Sequence, residues 1–128
     1  MDKLEYIPGD LVKFATNTYT IVNFGENFLQ SKIYALISTN STKTAFVADR
    51  DILPIPLTPK ILEKNGWKLS HGFYLSPNKE GAEVGLSSQT GYVWEAYIRR
   101  HPLRSNINSV SDLQHLLFGL GLNSEMEV

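Results

Sequence analysis

Three arginines follow the most aromatic segment of the chain. Arg99, Arg100 and Arg104 lie within six residues, directly after Trp94 and Tyr97. Guanidinium groups bind phosphate oxygens in a planar fork, and aromatic rings stack on nucleic-acid bases. The cluster therefore predicts a nucleic-acid-binding site formed by Tyr97, Arg99, Arg100 and Arg104. The alternative is an ordinary charged strand end, which a formal net charge of -1 favours because few phosphate contacts give weak binding.

Two aspartates and three histidines are the candidates for a metal site. Asp49 and Asp51 would point to the same side of an extended segment, where two carboxylates can share Mg²⁺. A hard cation needs several converging oxygens, and a solvated loop explains this pair as well. His71, His101 and His115 lack metal-ligand spacing, because none lies three to five residues from another. We therefore expect no metal ion.

The sequence contains no group of residues that would indicate catalysis. It has no cysteine, which removes a thiolate nucleophile, a cysteine-ligated zinc site and an iron–sulfur cluster. Neither a nucleophile elbow, a phosphate-binding Walker loop nor a dinucleotide fingerprint occurs. These observations predict a non-enzymatic protein without a cofactor.

Length and composition place the chain among small globular proteins. Its 128 residues, 42% of them hydrophobic, suffice for one core. Twelve basic and 13 acidic residues nearly cancel, which argues against a surface that grips nucleic acid or anionic membrane throughout. No run approaches the roughly 20 apolar residues of a membrane helix. The first residues are charged where a signal peptide is apolar, so a cytoplasmic location is expected.

The N-terminal part of the chain is typical of a small β-barrel. Short segments rich in β-branched and aromatic residues alternate with polar turns. The predicted strands are residues 11–14, 19–24, 32–37 and 44–47. The turn before the first of them resembles the entry of SH3-like barrels. Tyr6, Phe14, Tyr19 and Phe24 either line a peptide-binding groove or, as we favour, fill the core.

A short helix follows, with clear start and stop signals. Thr58 fits an N-cap and Pro59 the first helical position. Gly66 provides the left-handed stop, after which Trp67 can pack back on the helix. These residues predict a helix over residues 59–65.

The remaining chain predicts a second sheet and a closing helix. The expected strands are residues 72–75, 83–86 and 92–99, and His101-Pro102 is expected to end the last of them. An apolar stripe then predicts a helix over residues 110–120. Ser111 has capping-box spacing, but Asn108 or Ser109 could cap this helix instead.

Three blocks of sequence resemble a known family. Residues 54–67 (PIPLTPKILEKNGW), residues 110–120 (VSDLQHLLFGL) and Gly9-Asp10-Leu11-Val12 are similar, in this order, to segments of small uncharacterised proteins from gut anaerobes, their prophages and mobile elements. The resemblance implies membership of that family and no particular activity. The chain differs at Ser111, where the family usually has histidine, and at Gly119, where it has alanine.

The sequence thus predicts an α+β protein. A small SH3-like antiparallel β-barrel (residues 1–53) precedes an α+β extension packed on it (residues 54–128), formed by a short helix, a second small antiparallel sheet and a C-terminal helix. The function that we expect is a phage- or mobile-element-associated protein-interaction module that binds an unknown protein through barrel or sheet edges. The alternative is a nucleic-acid-binding accessory protein that uses the Arg99–Arg104 cluster, and an enzyme ranks third.

Overall fold

A computed structural model describes residues 6–15, 17–26, 32–38, 44–48, 52–77, 83–99 and 101–128. The protein is α+β, and the described residues form two antiparallel sheets and two helices. The chain divides into two units, residues 1–55 and residues 56–128, each with its own sheet. The sequence predicts this boundary after residue 53, and the packing of one part on the other stays a prediction.

The sheet of the N-terminal unit has four strands in sequential order. They are β1 (Leu11–Phe14), β2 (Asn17–Glu26), β3 (Lys32–Ser38) and β4 (Thr44–Ala48). Each overlaps a strand predicted from the sequence, and β2 is the one that extends furthest beyond its predicted bounds. A register shift between Ile21 and Asn23 marks a β-bulge in β2, which locally increases strand twist.

The free edge of β1 is paired by the segment that follows β4. The amide of Lys13 donates to the carbonyl of Leu53, and the amide of Leu53 donates back, both at 2.8 Å. This two-bond bridge returns the chain to the start of the sheet. Within the described ranges no ladder joins β1 to β4. The closed SH3-like barrel therefore stays a prediction.

The core of the N-terminal unit contains the aromatic residues that the sequence assigned to it. Tyr6 and Ile21 are buried in a cluster completed by Val12, Val47 and Ile52. The rings of Phe14 and Tyr19 pack against this cluster, with their centroids 5.9 Å apart. This confirms the core interpretation for Tyr6, Phe14 and Tyr19, whereas the side chain of Phe24 lies outside the described set.

The sheet of the C-terminal unit is a five-stranded meander. Its strands are β5 (Lys68–Ser70), β6 (Phe73–Leu75), β7 (Val84–Ser87), β8 (Trp94–Ile98) and β9 (His101–Ile107). The sequence does not predict β5 and β9. The strand predicted over residues 92–99 does end before His101-Pro102, but the chain continues from there as β9, which pairs with β8. Proline is tolerated at this place since β9 is an edge strand and does not need every amide as a donor.

Helix α1 (Pro59–Lys64) begins where the sequence predicts and ends one residue earlier than predicted. The hydroxyl of Thr58 accepts a hydrogen bond from the amide of Ile61 at 3.3 Å. Gly66 has a φ of 87°, and the amide of Trp67 donates to the carbonyl of Leu62 at 3.0 Å. This is the Schellman end, which uses carbonyls that the helix itself leaves unpaired.

Helix α2 (Val110–Gly119) is capped by Ser109, one of the three residues left open above. The Ser109 hydroxyl accepts from the amide of Asp112 at 3.1 Å. The Asp112 carboxylate is buried and accepts from the amide of Asn108 at 3.3 Å. Polar side chains at this helix start therefore satisfy backbone donors that have no partner within the helix. No helix of the described residues is long and apolar enough to cross a membrane.

The core of the C-terminal unit lies on one face of its sheet, against both helices. Its buried apolar members are Leu57, Leu62, Trp67, Val84, Leu86, Trp94, Ala96, Ile107, Val110, Leu113, Leu116 and Leu117. Tyr92 begins the strand that the sequence predicts over residues 92–99, but it is 71% exposed in the loop before β8, so the strand is shorter than predicted.

The Thr58 cap gives a testable prediction. Thr58→Ala removes the acceptor for the Ile61 amide and should lower the free energy of unfolding by about 1 kcal/mol. Both tryptophans lie in the C-terminal unit, so their fluorescence during urea unfolding reports on that unit. Thr58→Ser keeps the hydroxyl and should lose much less. Equal losses in the two variants would show that the hydroxyl does not stabilise α1.

Candidate functional site

The five-stranded sheet has a buried face and an outer face. Leu86 and Ala96 are register partners, and both are fully buried. The next positions along the strands alternate to the other side. There Leu75 pairs with Gly85, and Gly85 pairs with Tyr97. These three residues form a row on the outer face.

A cleft of about 670 Å³ lies on this outer face around Gly85. We call it the Gly85 cleft; it is lined by Ser70, His71, Phe73, Leu75, Glu83, Gly85, Tyr97 and Arg99. A Cβ at Gly85 would lie 3.4 Å from Cδ1 of Phe73 and 3.6 Å from Cδ2 of Leu75. The glycine thus forms the floor, and neighbouring apolar side chains form walls around a position that has no side chain.

An aromatic pair forms the main wall of the Gly85 cleft. The rings of Phe73 and Tyr97 meet edge to face, with centroids 5.3 Å apart and planes at 87°. Both side chains are half-buried. Phe73 follows a two-residue turn in which His71 and Gly72 have φ values of 51° and 86°. Positive φ at both central residues is typical of the two-residue hairpin turns that match strand twist. This turn therefore fixes the register in which Phe73 pairs with Ser70.

The hydroxyl of Tyr97 is fixed by a neighbour on the same strand. It donates a hydrogen bond of 2.6 Å to Oε2 of Glu95. This bond raises the pKa of Tyr97 above its ordinary value, and partial desolvation and the negative charge of Glu95 raise the pKa further. The neutral, donating phenol is therefore the favoured form, and its ring is held against Phe73.

The rim of the cleft is polar and carries both signs of charge. Val84 and Ile98 are register partners, so Glu83 and Arg99 lie across from each other just beyond the ends of β7 and β8. Next to Phe73, the hydroxyl of Ser70 is 3.0 Å from Nδ1 of His71. A charged rim around an apolar centre is the usual anatomy of a protein-binding surface.

The structure separates the members of the predicted basic cluster. Tyr97 and Arg99 line the same cleft. Arg100 lies outside the described residues. Arg104 is exposed but is the register partner of Ala96, whose side chain belongs to the buried face. The register therefore assigns Arg104 to the face of the sheet opposite to the face of Tyr97.

Register shifts explain why the sequence could not foresee this separation. The β8–β9 ladder shifts between Trp94 and Ala96 and again between Ala96 and Tyr97. Each shift changes which residues of β9 face which side, because side chains alternate along a strand. Simple alternation from Arg99 therefore does not give the face of Arg104.

The sequence does not identify the apolar floor and walls of the cleft as functional. The sequence predicts Phe73, Leu75 and Gly85 only as residues of strands. The available signal was the glycine itself, since a glycine within a strand often marks a close approach of another group. Its flanking residues Val84 and Leu86 are both fully buried, so strand alternation places Gly85 on the opposite face of the sheet.

The residues that the sequence offers as metal ligands form no metal site in the described part of the chain. Asp49 and Asp51 lie outside the described residues. Elsewhere, no group of three or more histidine, aspartate or glutamate side chains is placed to hold an ion within the described ranges. The buried carboxylate of Asp10 instead accepts the amide of Ile7 at 2.9 Å in the turn before β1.

Comparison of the chain with protein-family models, curated proteins and solved structures finds no match. The family that the three sequence blocks resemble therefore stays a prediction. The geometry of the Gly85 cleft is the observation from which function can be argued.

Proposed function

We propose that the protein is a non-enzymatic protein-interaction module whose binding surface is the Gly85 cleft. One observation carries the proposal: an edge-to-face aromatic pair borders a floor without a side chain on the outer face of the sheet. Aromatic residues supply much of the energy of protein interfaces, particularly around pockets that a partner side chain can fill. We propose that an apolar side chain of the partner enters over Gly85.

The charges of the rim favour a protein segment over a nucleic acid. Arg99 and Glu83 lie together at one end of the cleft, so a polyanion would meet a carboxylate beside the guanidinium. Nucleic-acid affinity depends on several phosphate contacts, and Arg104 starts from the other face of the sheet. A peptide can pair opposite charges with both Arg99 and Glu83 while its apolar group fills the centre.

The proposed surface differs from the sheet edges suggested by the sequence. The edge strand β9 contains Pro102, which has no amide donor, and its ladder with β8 is irregular. Prolines and bulges hinder the addition of a further strand. The outer face is therefore the better surface, while the phage or mobile-element context stays a prediction of the resemblance.

The first test fills the floor of the cleft. Gly85→Val places methyl groups beside Phe73 and Leu75, where even the added Cβ makes ordinary contacts of 3.4 and 3.6 Å. The probes are peptides selected from a random displayed library on the wild-type protein. We expect them to carry an apolar anchor and to bind Gly85→Val at least about tenfold more weakly, a loss of about 1.4 kcal/mol. Titration of a labelled selected peptide measures this.

Controls separate blocking of the cleft from a change in stability. Gly119→Ala adds a methyl group where nothing lies within 4 Å, and it should leave peptide binding unchanged. Gly85→Val should retain the wild-type unfolding midpoint, because valine favours strands. The proposal fails if no peptide is enriched, or if Gly85→Val binds the peptides normally. It also fails if labelled oligothymidylate alone binds and Arg99→Ala abolishes that binding.

The second test concerns the hydrogen bond that fixes Tyr97. Glu95→Gln removes the carboxylate that raises the pKa of Tyr97. Tyrosinate absorbance from this residue should therefore appear at lower pH than in the wild type, with Tyr97→Phe identifying its contribution. An unchanged titration of Tyr97 in Glu95→Gln would contradict the assigned cause of the shift.

The hydrogen bond between Tyr97 and Glu95 also makes the stability of the fold depend on pH. A tyrosine whose pKa is higher in the folded protein stabilises the fold fully below its unfolded pKa of about 10. This contribution is lost as the pH rises through the folded pKa. The stability difference between the wild type and Glu95→Gln should thus shrink above pH of about 10. Urea unfolding at several alkaline pH values measures it.

A further inference from the structure

We infer that the protein has a second binding site, a groove that takes an extended segment of a partner protein. Without that partner, residues 122–128 of the same chain occupy the groove. We call residues 122–128 the strap. The groove is formed by Asn65, Trp67 and Leu117, on the helices and the segment before β5. It shares no lining residue with the Gly85 cleft, so this inference does not depend on the proposed function.

The strap lies on the protein as an extended peptide. Its exposure alternates residue by residue: Leu122, Ser124, Met126 and Val128 are half-buried, whereas the residues between them are exposed. A period of two is that of an extended chain with one side against a surface. The strap nevertheless belongs to neither sheet.

The body of the protein binds the strap through the strap's backbone. The carboxamide of Asn65 donates from Nδ2 to the carbonyl of Glu127 at 2.7 Å and accepts at Oδ1 from the amide of Glu127 at 2.8 Å. Lys64 donates to the carbonyl of Val128 at 2.7 Å. Gln114 donates to the carbonyl of Ser124 at 3.1 Å. Contacts of this kind fit any extended peptide with a suitable anchor side chain.

The side chain that we assign as the anchor is Met126, which is half-buried and lines the groove. A cavity of about 240 Å³ lies along the strap and is lined by Trp67, Pro77, Leu117, Leu122 and Met126, among others. Methionine is unbranched and fits irregular apolar spaces. Glu125 and Glu127 flank this anchor near Lys64. The ligand class is therefore an extended segment with a methionine or similar aliphatic anchor between acidic residues.

The groove is fixed independently of the strap. Nδ2 of Asn65 also donates to the carbonyl of Ile61 at 2.8 Å, so the carboxamide is oriented by α1. Helix α2 has its own end, where Gly121 has a φ of 73° and the amide of Leu122 donates to the carbonyl of Leu117 at 2.9 Å. Release of the strap beyond Leu122 would leave both helix ends intact. A segment of similar chemistry on another protein can then replace it.

A segment bound within the same chain acts as a competitor. The apparent affinity for an added peptide falls by the fraction of molecules in which the groove is open. Weakening the strap without altering the groove should therefore strengthen binding of an added peptide. Glu127→Pro does this, because proline removes the amide that donates to Asn65. Glu127→Ala is the matched control, since it removes the same carboxylate but keeps the amide.

The probe is a fluorescein-labelled peptide with the sequence of residues 121–128, titrated into the full chain. We expect Glu127→Pro to bind it at least about tenfold more tightly than the wild type, following the larger open fraction. Glu127→Ala should resemble the wild type. A peptide carrying Met126→Asp should lose binding, and this control changes the probe alone. In the wild type, saturating unlabelled peptide should accelerate hydrogen exchange at the Glu127 amide of the strap.

Several results would overturn the inference. One is a folded Glu127→Pro chain, with wild-type tryptophan fluorescence, that does not bind the peptide or binds it no better than the wild type. Another is equal binding of the Met126→Asp peptide. A third is unchanged exchange at the Glu127 amide under saturating peptide. A wild-type chain that elutes as a dimer with exchanged straps would assign the groove to a second copy instead of a different partner.

Discussion

The C-terminal unit depends on one buried hydrogen bond. The indole of Trp94, 3% exposed, donates to the carbonyl of Leu57 at 2.9 Å. The amide of Leu57 donates to the carbonyl of Asn108 at 3.3 Å. The segments before α1 and α2 are thereby attached at one point under the sheet. A buried carbonyl without a partner costs about 1–3 kcal/mol, so the indole is required where it lies, and the inner face of the sheet is fixed around it.

This attachment determines which face of the sheet is buried and which face remains exposed. Tyr74 packs edge-on against Trp94, with centroids 5.8 Å apart, and its hydroxyl donates to Glu63 of α1 at 3.1 Å. Once Tyr74 and Trp94 are directed inward, strand alternation directs Phe73 and Tyr97 outward. The Gly85 cleft is thus a consequence of how the inner face is filled. Because the sheet holds the walls, binding of the proposed partner would cost little free energy for ordering them.

The sequence predicted what local chemistry decides. Helix α1 follows from Thr58, Pro59 and Gly66, which act on their own neighbours, and the α+β class follows from strand and helix patterns. Strand β9 was missed because Pro102 normally interrupts pairing, and only its edge position makes it acceptable. The cleft and the face of Arg104 depend on register between strands, including two shifts. No pattern within one segment contains that information.

Polar side chains that hydrogen-bond to the backbone hold a turn, a helix start and the strap of the C-terminal unit. The hydroxyl of Ser76 accepts the amide of Val84 at 2.9 Å, and Ser109 caps α2. Asn65 uses the same chemistry, but its carboxamide binds the backbone of Glu127, 62 residues away. In the sequence, Asn65 has only the features of a helix end, because its second partner, Glu127, lies far along the chain. Only the tertiary structure shows that one side chain does both.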